Sequence, residues 1–249
     1  MGIPRTARRV AAAAALVAAL APGGAGTARA ALLASGSVGG APVGLVRESF
    51  DVLPLGGPGT AVALPSGLTV SFGPGAGAVR GSAGGLYAAP VLSGGNGAGF
   101  GPGGADQADG ADATTYLSTG STGADAAAAV ELLLPGLARR FGLLWGSVDA
   151  YNTLSFFDGA AFVGALTGAD VAAAPNGDRG AGGTLYVTVD SARGFDRVVA
   201  TSSSYAFEFD NVAFDAAPVP EPGALALLLS GLAGLALAAR RKRADPVIR

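Results

Sequence analysis

FGLLWGSVDAYNTLSFFDG, residues 141–159, sets two short apolar runs on either side of a small polar turn. Phe141, Leu143 and Trp145 alternate with Gly142, Leu144 and Gly146, the period of two that places one set of side chains on one face of a strand. The run 141–148 therefore reads as a strand, 153–157 as a second, and Asp158-Gly159 as a tight turn after it. Trp145 shares its face with apolar neighbours and is read as core; the competing reading is a platform on which a sugar ring stacks. Asp149 and Asp158 are the carboxylates nearest to it, and nothing in their spacing sets them at the separation that two glycosidase acids need.

Runs of the same kind, rich in Val, Phe, Leu, Tyr and Thr, recur at 67–72, 161–166, 185–189, 197–201 and 205–214. Asn176-Gly177-Asp178 and Arg193-Gly194 read as turns between them. The segment 124–134 has the alanine content of a helix, but Gly and Pro bound it, and its end at 130–134 reads as a buried strand. Short strands without a regular alternation of helices imply an all-β fold, a single sandwich of the jelly-roll kind. The segment 73–104, crowded with glycine, reads as loops. Within it Gly99, Gly101 and Gly104 satisfy G-x-G-x-x-G in form only, because no strand precedes them and no helix follows to hold a pyrophosphate.

Composition excludes much chemistry. The chain has no His and no Cys, which removes Ser-His-Asp and Cys-His catalysis, thiolate and imidazole metal sites, and disulfides. Its one Lys is Lys242, so the segment 31–218 has neither a Schiff-base lysine nor a P-loop lysine. Paired carboxylates or an oxygen-ligand cation site are the chemistries left, and the reading adopted is that of a protein that is not an enzyme.

Two acidic stretches invite a cation. Asp106, Asp109 and Asp112 are spaced by three, which fails the calcium-loop pattern and reads as a solvated acidic loop. In YAFEFDNVAF, 205–214, alternation points Phe207 and Phe209 inward and Glu208 and Asp210 outward, until Asp210-Asn211 breaks the register before Val212 and Phe214. A carboxylate at such a break can ligate calcium or can cap the bulge by bonding its own backbone. Asp210 is thus the candidate metal ligand, and structural calcium the one cofactor admitted.

The ends of the chain read as addresses. Arg5, Arg8 and Arg9, the apolar stretch 10–21 and the small residues of Ala28-Arg29-Ala30 compose a secretory signal peptide over 1–30, cut after Ala30. At the other end, Val219-Pro220-Glu221-Pro222 precedes the uncharged residues 223–239, a helix of about 25 Å that can cross a membrane once with some thinning. Arg240, Arg241, Lys242 and Arg243 follow and stay in the cytoplasm by the positive-inside rule, within a basic tail spanning 240–249. Between 31 and 218 seven arginines face 16 acids, a net of −9 within a chain whose total is −2. A segment this acidic does not seek nucleic acid.

The order Pro-Glu-Pro, apolar helix, basic cluster resembles the PEP-CTERM sorting signal that exosortases recognise in Gram-negative bacteria making exopolysaccharide. FGLLWGSVDAYNTLSFFDG, FDRVVATSSSYAFEFDNVAF and, more loosely, APVLSGGNGAGFG are similar to one family of exosortase-dependent surface proteins. The resemblance implies three segments: signal peptide 1–30, a β-sandwich with Gly-rich loops over 31–218, and a sorting signal over 219–249. It implies exosortase as partner, membrane attachment through 223–239 before processing, and a non-catalytic role at the cell surface or in a biofilm matrix, with exopolysaccharide as a further partner. The alternative from a different class is a carbohydrate-binding surface module, with calcium as its cofactor.

Overall fold

A computed structural model describes residues 32–57, 59–120 and 128–215. Over these residues the all-β expectation stands. The strands are β1 (Leu32–Ser37), β2 (Val46–Glu48), β3 (Val62–Ala63), β4 (Thr69–Phe72), β5 (Gly77–Val79), β6 (Val91–Leu92), β7 (Gly110–Ala111), β8 (Tyr116–Thr119), β9 (Ala129–Gly146), β10 (Asn152–Asp158), β11 (Ala161–Thr167), β12 (Leu185–Ser202) and β13 (Phe207–Phe214). Eleven of them form one continuous antiparallel sheet, and β6 and β7 pair separately.

Two of the expected breaks are absent. Arg193-Gly194 lies inside β12, and Pro135-Gly136 lies inside β9, each strand running for 18 residues. The two long strands pair with each other at both ends, from Ala129↔Thr201 to Leu133↔Arg197 and again from Arg140↔Asp190 to Trp145↔Leu185. Between those stretches only Ala138↔Phe195 stays in register. The irregularities on the two strands face each other, so Pro and Gly here serve a shared bend in a sheet rather than a chain reversal.

The bend gives each long strand two sets of neighbours. Beyond it in one direction β12 pairs with β1 and β9 with β13, which in turn carries β8 and β2. In the other direction β12 pairs with β10, which pairs with β11, and β9 pairs with β4. Side chains from both directions meet in one core. Phe156 of β10 lies edge-on to Phe141 of β9 at 6.0 Å between ring centroids, and to Phe195 at the bend at 5.0 Å. Trp145 is fully buried and stacks on Phe207 at 4.4 Å, so it is core and not a platform.

A second, smaller apolar cluster lies on the opposite face of the β9–β13 region. There Leu144, Tyr186 and Ala213 meet Leu92 and Phe100 from the glycine-rich segment. Gly146 makes this approach possible: a Cβ on it would stand 3.0–3.2 Å from Pro90. The segment read as loops thus contributes β5, which pairs with β8 in the sheet, and also β6 and a three-residue 3-10 turn at Pro102–Gly104, which roof it. All eight residues of β13 are buried as a result, which corrects the outward, solvent-facing placement of Glu208 and Asp210. The register does break where the sequence places the break, between Asp210 and Ala213, with Asn211 at φ 49°.

The tail 219–249 lies outside the described residues, as does the signal segment 1–30. Among the described residues no helix is long and apolar enough to cross a membrane. The stacked Trp145–Phe207 pair should dominate the core's response to truncation. Trp145→Ala should cost about 3–5 kcal/mol in denaturant unfolding, whereas Leu133→Ala, at a position 44% exposed on the same strand, should stay within about 0.5 kcal/mol.

Candidate functional site

The turn after β9 is built to hold Asp149. The Val148 N–H bonds to the Gly183 carbonyl at 3.0 Å, the Gly177 N–H to the Val148 carbonyl at 3.1 Å, and the Asn152 N–H to the Asp149 carbonyl at 3.2 Å. Gly177, at φ 68°, comes so close that a Cβ on it would lie 2.6 Å from Asp149 Oδ1. Asn176 and Gly177 of the expected turn line a cavity together with Asp149.

That cavity is a trough of about 340 Å3, open on one side. Tyr87, Tyr151 and Tyr205 line it, with Leu86 and Arg179 among the other lining side chains. Tyr205 is 48% exposed and Leu86 is exposed as well, so apolar surface is presented to solvent at a polar trough. The Tyr151 hydroxyl donates to the Tyr205 carbonyl and stands beside Asp149. Burial, then the neighbouring Asp149, pushes the Tyr151 phenol above its ordinary value, so it stays a hydrogen-bond donor at any physiological pH.

Glu208 reaches the trough from β13. One of its oxygens accepts the Ala88 N–H at 2.7 Å and the other the Ser147 hydroxyl at 2.9 Å. It thereby ties the glycine-rich roof to the sheet. Burial raises its carboxyl above the usual range, the two donors oppose the rise, and Asp149 adds to it. Asp149 is raised too, by burial, against the pull of Tyr151. The trough thus offers hydrogen-bonding groups and ring surface to a polar ligand.

The other expected acids scatter. Asp158 sits at the far end of β10 from Asp149, about 20 Å along the strand, and pairs with Arg193 at 2.9 Å. Asp106 accepts the Gly99 N–H at 2.9 Å in an exposed turn, and Asp109 is exposed. Asp112 departs from the solvated-loop reading: it is buried, with one oxygen held by the backbone and hydroxyl of Thr114. It lies against Asp210, which is 0% exposed and whose carboxyl meets the Asp112 carboxyl and the Asn211 backbone but no side-chain N–H or hydroxyl. Burial raises the Asp210 carboxyl far above its ordinary range, the Asp112 carboxyl adds to the rise, and the Asn211 backbone opposes it. Among the described residues no three His, Cys, Asp or Glu side chains gather to hold a metal.

Sequence reasoning missed Tyr87, Tyr205 and Glu208 as trough residues. Asp149 and Tyr151 stood inside the quoted motif, but Tyr205 lies 54 residues from Tyr151, and Glu208 lies 61 from Ser147 and 120 from Ala88. Ala28, Ala30, Val219, Pro220, Glu221, Pro222, Arg240, Arg241, Lys242 and Arg243 lie outside the described residues.

Residues 218–243 match the family model described as the PEP-CTERM protein-sorting motif. The chain therefore carries that motif, and both the Val219–Pro222 residues and the basic cluster 240–243 fall within the match. Comparison with curated proteins and with solved structures gives no match.

The raised carboxyls have a consequence for stability. Each holds its proton more tightly folded than unfolded, so their contribution is full below the unfolded carboxylate range, about pH 4. It is lost as pH rises from there through the raised folded values. Thermal melts from about pH 4 to 8 in buffers free of divalent ions should show a falling Tm, and Glu208→Gln should flatten part of that fall. A Gln variant as steeply pH-dependent as the unmodified protein would remove Glu208 from the account.

Proposed function

We propose that this chain is an exported, non-catalytic protein of the cell surface or extracellular matrix, sorted and processed at its C-terminal side by an exosortase. The match of 218–243 to the PEP-CTERM protein-sorting motif carries this reading. The signal-like segment 1–30 supports export, and the absence of His and Cys supports a role without the common nucleophiles. On this reading 223–239 is a temporary membrane hold that leaves Arg240 to Arg243 in the cytoplasm and presents Pro220-Glu221-Pro222 on the outer side. Prolines keep that tripeptide extended and accessible to an active site. Residues 31–218 form the displayed part, whose folded-over sheet we read as a jelly-roll-like sandwich.

The sorting reading and a plain anchor separate by experiment. A bilayer reads hydrophobicity and flanking charge, so an anchor tolerates replacement of Pro220, Glu221 and Pro222 by Ala, whereas a processing enzyme does not. In cells with an exosortase, intact-mass analysis should find a surface protein that begins near Ala31 and lacks 240–249. The triple-Ala variant should remain in the inner membrane with that tail attached. Identical behaviour of the two forms, tail retained, would restore the plain anchor.

A second reading rests on one observation: three tyrosines at a polar, open trough. Aromatic faces beside hydrogen-bonding side chains suit the alternating apolar and hydroxyl surfaces of a sugar, and a displayed matrix protein meets exopolysaccharide. Tyr205→Ala and Tyr87→Ala should each weaken retention on an exopolysaccharide matrix roughly tenfold or more, the loss expected for one stacking contact of about 1.4 kcal/mol. Retention unchanged in both variants would leave the trough without a glycan role.

A further inference from the structure

Asp210 poses a problem that the trough and the sorting signal leave unsolved. It projects from the bulge of β13 onto the roofed face of the sheet, fully buried; no side-chain N–H or hydroxyl donates to it, and its polar neighbours are the Asp112 carboxyl and the Asn211 backbone. The second oxygen of Asp112 is buried and unpartnered against it. Asp51 adds a third negative charge to the neighbourhood, held in place by the Thr115 N–H at 3.1 Å. The ion pairs among the described residues join Arg140 to Asp190, Arg193 to Asp158 and Arg197 to Glu131, and none involves these three acids.

The neutral groups around the pair are organised. Asn211 donates to Gln107 Oε1 at 2.6 Å, Gln107 donates to Thr114 Oγ1 at 3.2 Å, and Thr114 donates to the first oxygen of Asp112. That chain joins the β13 bulge to the acidic turn of the roof. Its free end is an oxygen: Asn211 Oδ1 is buried and has no hydrogen-bond partner. Four side-chain oxygens, two on Asp210 and one each on Asp112 and Asn211, are buried and receive no side-chain N–H or hydroxyl. Buried polar groups are satisfied almost without exception, so two buried carboxyls set against each other point to something positive between them.

We propose that Asp112 and Asp210 form a site for one divalent cation of the calcium type, which fastens the glycine-rich roof to β13. The ligand set is all oxygen, which selects a hard cation, and the chain has neither His nor Cys to favour a softer one. Two carboxylates, with no third converging, leave the rest of the shell to amide and carbonyl oxygens, Asn211 Oδ1 foremost. Calcium accepts an irregular shell of six to eight oxygens, whereas magnesium demands a near-ideal octahedron. Asp51 acts on the ion at longer range through its charge.

The test uses the full-length protein in detergent, stripped with a chelator and titrated with calcium chloride. Equilibrium dialysis should find one ion bound per chain, and Tm should rise by roughly 5–10 °C at saturating calcium, with a much smaller rise for magnesium. Asp210→Asn should abolish both the binding and the shift, while melting no lower than the stripped unmodified protein, because it removes an unpaired buried charge. Dialysis on the unmodified protein reads the site even if the variant misfolds. Absence of calcium binding and of any Tm shift in the unmodified protein overturns the proposal. So does an Asp210→Asn variant that keeps the shift. If calcium has no effect and Asp210→Asn simply raises Tm, the two carboxyls share a proton instead, and the cation site is likewise excluded.

Discussion

The pairing of β9 with β12 through a common bend is the constraint on which the remaining architecture rests. Each strand is long enough to serve two groups of neighbours, and the bend decides which group a neighbour joins. A break in one strand alone would strand the other's backbone groups; irregularities placed opposite each other let both change direction with most of the ladder intact. Phe195 and Ala138, in register at the bend, fill the space that the turn of the sheet encloses. The core then closes around aromatic rings drawn from β9, β10, β12 and β13.

Roofing one face of this sheet with glycine-rich chain changes what β13 can carry. A strand buried on both faces is normally apolar throughout, yet this one bears Glu208, Asp210 and Asn211. Glu208 satisfies its charge with two donors from separate segments, and in doing so fixes one end of the roof. Asp210 has no such donors. The contrast between two acids two residues apart on the same face is what separates a structural tie from a site in need of a ligand. Glycine suits the roof because it lets backbone approach backbone: a Cβ on Gly39 would meet the carbonyl of Gly94 at 2.8 Å.

The trough and the buried acids lie on the same roofed side, the first lined by Glu208 and the second built around Asp210. A cation that holds the roof would also hold Tyr87, which leaves the roof for the trough beside Ala88, the partner of Glu208. The glycan and cation readings are in this way physically linked, though each stands on separate atoms. Both suit an acidic segment placed outside the cell, where attraction to cations and to neutral polymer costs nothing in unwanted nucleic-acid binding.

The sequence by itself determined the strand class, the aromatic face at 141–145, the register break at Asp210-Asn211 and the sorting motif, because each is a local pattern of a few residues. Period-two alternation and an apolar run between proline and basic residues need no long-range partner to be recognised. Tertiary structure alone decided that Pro135-Gly136 and Arg193-Gly194 bend strands rather than end them, since only the opposite irregularity in the partner strand makes that possible. It alone turned Glu208 and Asp210 from solvent-facing into buried acids, because alternation reports which face a residue occupies and not what covers that face. It also brought Ala88 within 2.7 Å of Glu208 across 120 residues, a closeness that no spacing in the sequence encodes, since packing of distant segments must outweigh the entropy of closing that loop.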